Sequence, residues 1–154
     1  MAHPLFIDQL SNLVEGARLE QQASGFHGPN TKLLGHLLDL MFDKIPQDPG
    51  GSQYRQGKTL GADYTHWYRA KTGGGRIRLF YRFNSTARII LYAWVNDENT
   101  LRSYGKRDDA YAVFAKMLNA GNPPNDWNDL VTAAVSVAPL HRRYSRRIDP
   151  DRSS

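Results

Sequence analysis

Cysteine is absent from the 154 residues, which excludes disulfides, thiolate nucleophiles and cysteine-ligated zinc and fits a reducing cytosol. No apolar run approaches the ~18 residues needed to span a bilayer. The opening MAHPLFIDQL also has no basic stretch ahead of a long apolar one. A soluble, unexported, cytoplasmic protein with no membrane partner is the expectation. Histidine is scarce, with five in the chain, and no His/Asp/Glu group has metal-ligand spacing, so neither a metal nor another cofactor is expected. Gly73-Gly74-Gly75 lacks the GxxxxGK[ST] spacing of a phosphate-binding loop and reads as a hairpin link. Acidic residues are the minority charge, 15 against 20 Lys and Arg.

What the chain does have is segregated charge. Residues 54–107 hold eleven Lys and Arg against three carboxylates, a net +8, while residues 1–53 and 108–140 each sum to −3 and residues 141–154 to +3. Clustering of one sign points to an anionic partner more directly than the total of +5 does. The length suits one domain with a real core. We place it at residues 1–138, with 139–154 as a basic tail too poor in apolar residues to fold alone.

Leu10, Leu13, Val14 and Ala17 recur at helical spacing within residues 4–23, and Leu33, Leu34, Leu37, Leu38 and Met41 form a second stripe after Asn30, a fair N-cap. The two read as a helical hairpin ended by Pro46, followed by an irregular connection with a turn at 58–61. Three strands are expected at 65–71, 76–83 and 88–95. Asp108 can cap a helix carrying Tyr111, Phe114, Met117 and Leu118, which Gly121, Pro123 and Pro124 would stop. A short helix around Trp127 and Leu130 follows.

Alternation along the strands puts Arg76, Arg78 and Arg82 on one face with Phe80, and Ile77, Leu79, Tyr81 and Phe83 on the other. Trp67, Arg69 and Lys71 share a face of the preceding strand, and the triple-glycine link would set those cations beside Arg76 and Arg78. One face is then core and the other an exposed basic platform. Arg76, Arg78 and Arg82 could be edge-strand gatekeepers, but three of them on one face beside Phe80 suit a phosphate track with a stacking surface better. Lys71, crowded by arginines, is either a site residue or a solvated strand-end lysine. His66 is the one histidine near the platform, on the opposite strand face. Asp97 and Glu98 read either as turn caps or as acid/base groups.

At GRIRLFYRF and then ILYAWVNDENTLRSYGKRDDAYAVFAKMLNAGNPPNDW the sequence resembles the YhaV family of bacterial type II toxins, within the wider RelE-like ribonuclease group, over about residues 58–127. The resemblance implies an α+β, RelE-like fold. In it a curved antiparallel sheet of three to four strands carries an N-terminal helical hairpin and C-terminal helices packed on one side. It implies a toxin endoribonuclease that cuts mRNA, at the ribosome, and so inhibits translation and growth. Its implied partner is a PrlF-type antitoxin with a swapped-hairpin DNA-binding domain, so that operator DNA is reached only through the antitoxin.

Carried over by position, the RelE-like pattern of Arg-x-Lys, a following Arg, and a basic pair before a Tyr falls on Arg69 and Lys71, on Arg78, on Lys106 and Arg107, and on Tyr111. The resemblance makes these the catalytic set, with Arg76, Phe80, Arg82 and Arg102 as RNA-binding residues. Metal-free RNA cleavage needs a base for the ribose 2′-OH, cations for the charge gathering on phosphorus, and an acid for the departing 5′-oxygen. A crowd of cations with one Lys or Tyr can supply all three. Two other classes stay open: a RelE/ParE-like protein that inhibits by binding alone, as ParE does with gyrase, and a plain RNA- or DNA-binding module.

Overall fold

The computed structural model describes residues 1–24, 28–96, 109–140 and 142. Helices α1 (Pro4–Ser24) and α2 (Pro29–Asp39) form the expected hairpin by burying Leu10 and Ala17 against Leu34 and Leu37. Asn30 is not its N-cap. It lies in the first turn behind Gly28, and α2 has no side-chain cap of its own. Glu20 does this work from α1: its carboxylate accepts from the backbone N–H groups of Asn30 (2.9 Å) and Thr31 (3.1 Å). An anion at the positive helix end satisfies two otherwise orphaned donors. Nor does Pro46 stop the helix where it stands. A π-type turn, Leu40–Lys44, closed by the Ile45 N–H on the Leu40 carbonyl, leads into a last turn, α3 (Ile45–Gln47), so the wider winding accommodates the ring.

The connection that follows is irregular, as expected, and Gln56 organises it from inside. This residue is 5% exposed; its amide donates to the Tyr64 carbonyl at 2.7 Å and accepts from the Leu60 N–H at 3.1 Å. The predicted turn closes through the Gly61 N–H on the Lys58 carbonyl at 2.9 Å.

Strands β1 (Tyr68–Thr72), β2 (Ile77–Asn84) and β3 (Ile89–Val95) make an antiparallel sheet in that order. Gly73, Gly74 and Gly75 all have φ between +59° and +85°, the region in which only glycine is unstrained, so the β1–β2 turn needs all three. The register pairs Lys71 with Arg78 and Arg69 with Phe80, and a bulge follows Phe80 on the β3 side. Arg76 sits in the turn ahead of β2 and has no strand partner. The expected pairing of Arg69 and Lys71 with Arg76 and Arg78 is therefore corrected to Phe80 and Arg78.

Both sheet faces are covered. Ala70, Leu79, Tyr81 and Tyr92 pack under α1 and α2. Trp67, Phe80, Leu91 and Trp94 pack under α4 (Ala110–Asn119) and α5 (Trp127–Ala133) through Phe114, Leu118 and Leu130. The α+β class and the three antiparallel strands stand, but the helices lie on two sides rather than one, and the supposed open platform has a roof. Alternation tells which residues share a face; it does not tell whether that face is covered. The decisive residue is Phe80, fully buried, with its ring centroid 4.5 Å from Phe114 and 5.9 Å from Trp94. Removing such a ring would cost about 3–5 kcal/mol, so it is core and offers no surface on which RNA could stack.

Helix α4 ends as its sequence predicts. Gly121, at φ +80°, donates to Leu118, and Asn122 to Met117, satisfying the last carbonyls. Residues 1–3 lie between β3 and Val135, with Ala2 fully buried and bridged to both Tyr92 and Val135. Leu140 packs on the first core, so the packed body reaches past the boundary expected at 138.

Candidate active site

Three elements converge on one phenolic oxygen. Tyr111 enters in the first turn of α4, and its ring stands edge-on to Phe80 at 5.6 Å and 89°. That contact holds the hydroxyl over β1 and β2, where Arg69 Nε donates to it at 2.9 Å and Arg78 Nε at 3.2 Å. The Arg78 guanidinium also lies 5.3 Å from the Tyr111 ring centroid. Arg69 is held further by Nη1 donating to the Gln53 carbonyl at 2.8 Å. Arg78 Nη1 donates to the Arg76 carbonyl at 3.5 Å.

Asn96 fixes the same corner. It is 3% exposed, accepts from the Arg78 N–H at 2.6 Å and donates to the Arg76 carbonyl at 2.9 Å. With this side chain the β3 backbone extends its ladder along β2 by one more step. Arg78 is 6% exposed, whereas Arg69 and Tyr111 are half-buried and Lys71 is exposed at the rim. The two guanidinium groups thus form the base of the site and Lys71, paired across the strands with Arg78, its open edge. Two donors already on its oxygen leave the Tyr111 O–H free to point only away from the arginines. Preorganised cations around a hydroxyl suit chemistry in which negative charge develops on a bound phosphate.

A family model described as a toxin with endonuclease activity, of a toxin-antitoxin system, matches residues 1–135. The chain belongs to the YhaV toxin family. Relatives include the ribonuclease toxin YhaV of Escherichia coli strain K12 and the toxin YhaV of Escherichia coli O6:H1. Each is 41% identical over 133 residues, covering 84% of this chain and 86% of the relative. No solved structure matches the chain. The family match takes in the helical hairpin as well as the 58–127 stretch on which the resemblance was recognised. This YhaV family toxin is accordingly an endonuclease toxin, and its toxin-antitoxin system implies an antitoxin partner.

The remaining expected site residues divide. Arg82 shares the sheet face but serves structure: its guanidinium lies 5.5 Å from the Trp67 ring and 5.3 Å from the Trp127 ring, and donates to the Asn125 carbonyl. Burial lowers its pKa, with Asp126 opposing. It ties the segment before α5 to the sheet. Phe80 is core, and Arg76 is exposed in the turn. His66 does not join Tyr111; its Nε2 is 2.7 Å from Asn125 Oδ1, which also accepts from Trp67 Nε1 at 2.9 Å. Partial burial lowers the His66 pKa, the Asn125 bond opposes this, and the Arg82 charge adds to it. Arg102, Lys106, Arg107, Asp97 and Glu98 lie outside the described residues, as does the capping role expected of Asp108; Asp109 occupies the N-cap of α4.

Among the described residues no group of three or more His, Asp or Glu could hold a metal ion, and no helix is long and apolar enough to cross a membrane. Sequence reasoning missed Asn96, Gln53 and Asn125. All three act on backbone or on partners distant in sequence. The one available signal was Asn96 itself, a polar residue ending an apolar strand, a position where a buried amide completes a ladder.

Proposed function

We propose that this YhaV family toxin is a ribonuclease that cleaves messenger RNA in the cytoplasm, at the Tyr111–Arg69–Arg78–Lys71 constellation, and thereby arrests translation. The observation that carries this reading is the Tyr111 hydroxyl held by two arginine Nε donors beside an exposed lysine. The ribonuclease named among its relatives supports RNA as the substrate. In the proposed reaction the ribose 2′-oxygen attacks phosphorus and the bond from phosphorus to the 5′-oxygen breaks. The 2′-OH proton passes to Lys71 acting as base, and Tyr111 gives its proton to the 5′-oxygen. Arg69 and Arg78 stabilise both the charged phosphorane and the phenolate left on Tyr111. The products are a 2′,3′-cyclic phosphate and a 5′-hydroxyl.

The resemblance further points to a PrlF-type antitoxin and to action at the ribosome, and it counts Lys106 and Arg107 in the catalytic set. Single-turnover cleavage of end-labelled RNA, with and without ribosomes, tests the reading by the chemistry of the new ends. Products carrying a 5′-phosphate, or cleavage of DNA with RNA left intact, would refute it.

A further inference from the structure

Arg78 reaches the Tyr111 oxygen from a weak stretch of sheet. On the β3 side of β2 the ladder is interrupted between Phe80 and Tyr81, and only Phe80 with Trp94 and Leu79 with Val95 pair between that bulge and Arg78. The last pairs of a ladder open more readily than its middle. A guanidinium carried there would share in that motion, and an error of about 1 Å in a catalytic group can cost on the order of 10²-fold in rate.

Asn96 closes this end of the sheet. Its N–H donates to the Arg78 carbonyl at 3.4 Å and its side-chain oxygen accepts from the Arg78 N–H at 2.6 Å, so one residue holds both main-chain groups of Arg78. Its side-chain nitrogen donates to the Arg76 carbonyl at 2.9 Å. The partners fix how the amide lies, because a peptide N–H can only donate and a peptide carbonyl only accept.

The same Arg76 carbonyl accepts from Arg78 Nη1 at 3.5 Å, while Arg78 Nε donates to Tyr111 at 3.2 Å. Asn96 therefore fixes Arg78 at its backbone and also fixes the carbonyl on which its guanidinium rests. At 3% exposure it is shut away from substrate, so any effect on the reaction must pass through Arg78. Gln9 gives the contrast. From α1 it holds both backbone groups of Val95, at 2.7 Å and 3.1 Å, and so secures the end of β3 from its outer margin through Val95 alone.

We propose, on the reading of Tyr111 and Arg78 as the site of RNA cleavage, that Asn96 is a positioning residue, which holds the Arg78 guanidinium against the Tyr111 hydroxyl through the backbone of residues 76–78.

The test combines RNA cleavage with thermal melting of full-length variants in a double-mutant cycle. Asn96→Ala should lower kcat about 10-fold to 100-fold with KM within about threefold of the wild type. In an Arg78→Ala background the same substitution should lower kcat by no more than about threefold, because the group it positions is gone. Gln9→Ala should lower Tm yet keep kcat within about threefold of the wild type. Asn96→Asp keeps the acceptor for the Arg78 N–H and loses the donor to Arg76, so its kcat should fall between those of Asn96→Ala and the wild type; should Asn96→Ala fail to fold, this variant carries the cycle. Equal losses of kcat with and without Arg78, or as large a loss in Gln9→Ala, would overturn the proposal, since Asn96 would then act only on stability. Wild-type cleavage by Asn96→Ala beside a disabled Arg78→Ala would overturn it while leaving the site standing. Wild-type cleavage by Arg78→Ala would reject the site and the proposal together.

Discussion

Removing one oxygen atom, by Tyr111→Phe, separates chemistry from packing at the site. The ring keeps its edge-on contact with Phe80 at 5.6 Å and its place beside the Arg78 guanidinium at 5.3 Å. What disappears is the acceptor of two hydrogen bonds from cationic donors, at 2.9 Å and 3.2 Å. Each such bond contributes modestly in net terms, and the two arginines keep their bonds to the Gln53 and Arg76 carbonyls. Unfolding free energy should therefore fall by about 1–2 kcal/mol. A domain of ordinary stability stays folded after that loss.

The rate should respond more strongly, because an acid that protonates the leaving group acts only in the transition state. A fall of about 10²–10³ in kcat, with KM nearly constant, is expected, equivalent to roughly 3–4 kcal/mol of barrier. The assay is single-turnover RNA cleavage by quenched flow, with urea denaturation on the same preparations. Cleavage within about threefold of the wild type, alongside the stability loss, would reduce Tyr111 to a structural clamp on two arginines and remove it from the mechanism.

Lys71→Ala, at an exposed position, should change stability by no more than about 0.5 kcal/mol yet abolish growth arrest, and unimpaired toxicity would exclude Lys71 as the base. Arg78→Ala should cost more, about 1–3 kcal/mol, because Arg78 is 6% exposed; a denaturation curve identical to the wild type would contradict its burial. Arg82→Ala removes a guanidinium stacked near two indoles and should destabilise by about 2–3 kcal/mol while cleavage per folded molecule holds, with Arg82→Lys recovering little of it; a selective loss of kcat would return Arg82 to the site. The pH dependence follows from His3 and His66, whose pKa values burial holds below the usual 6.5. Burial holds the Met1 amino group below its usual 8.0 in the same way, so the unfolded chain binds protons that the folded chain resists, and stability should decline as pH falls through 8.0 and further as it falls through 6.5. Melting curves from pH 8 to 5 that stay level, or rise on acidification, would rule this out.

Much of the site was legible because it obeys local rules. Alternation placed Arg69, Lys71, Arg78 and Arg82 on a common face, glycine chemistry placed the β1–β2 hairpin, and helical spacing put Tyr111 at the start of α4. The long-range choices were not. Phe80 alternates with Leu79 and Tyr81 of β2 as an arginine would, and only the arrival of Phe114 from a later helix makes it core. Tyr111, readable either as core or as site, packs by its ring while its oxygen faces the arginines. Glu20 capping α2, Gln56 holding its loop and Asn96 extending the ladder each depend on a partner that no periodicity encodes. In all three a side chain replaces backbone pairing where regular structure stops.

The first three residues have a bearing on how the molecule behaves in a crowd. A strand at the margin of a sheet offers unpaired donors and acceptors to any other extended chain, and that is how sheets grow into aggregates. Along the outer margin of β3, Met1 and His3 take up the N–H and carbonyl of Tyr92, the amino group of Met1 takes the Ile90 carbonyl, and the Gln9 amide takes both backbone groups of Val95. Growth by strand addition is blocked on that side. A foreign segment fused ahead of Met1 would compete with this seal, so a tag at the opposite end of the chain is the sounder choice for keeping the protein monodisperse.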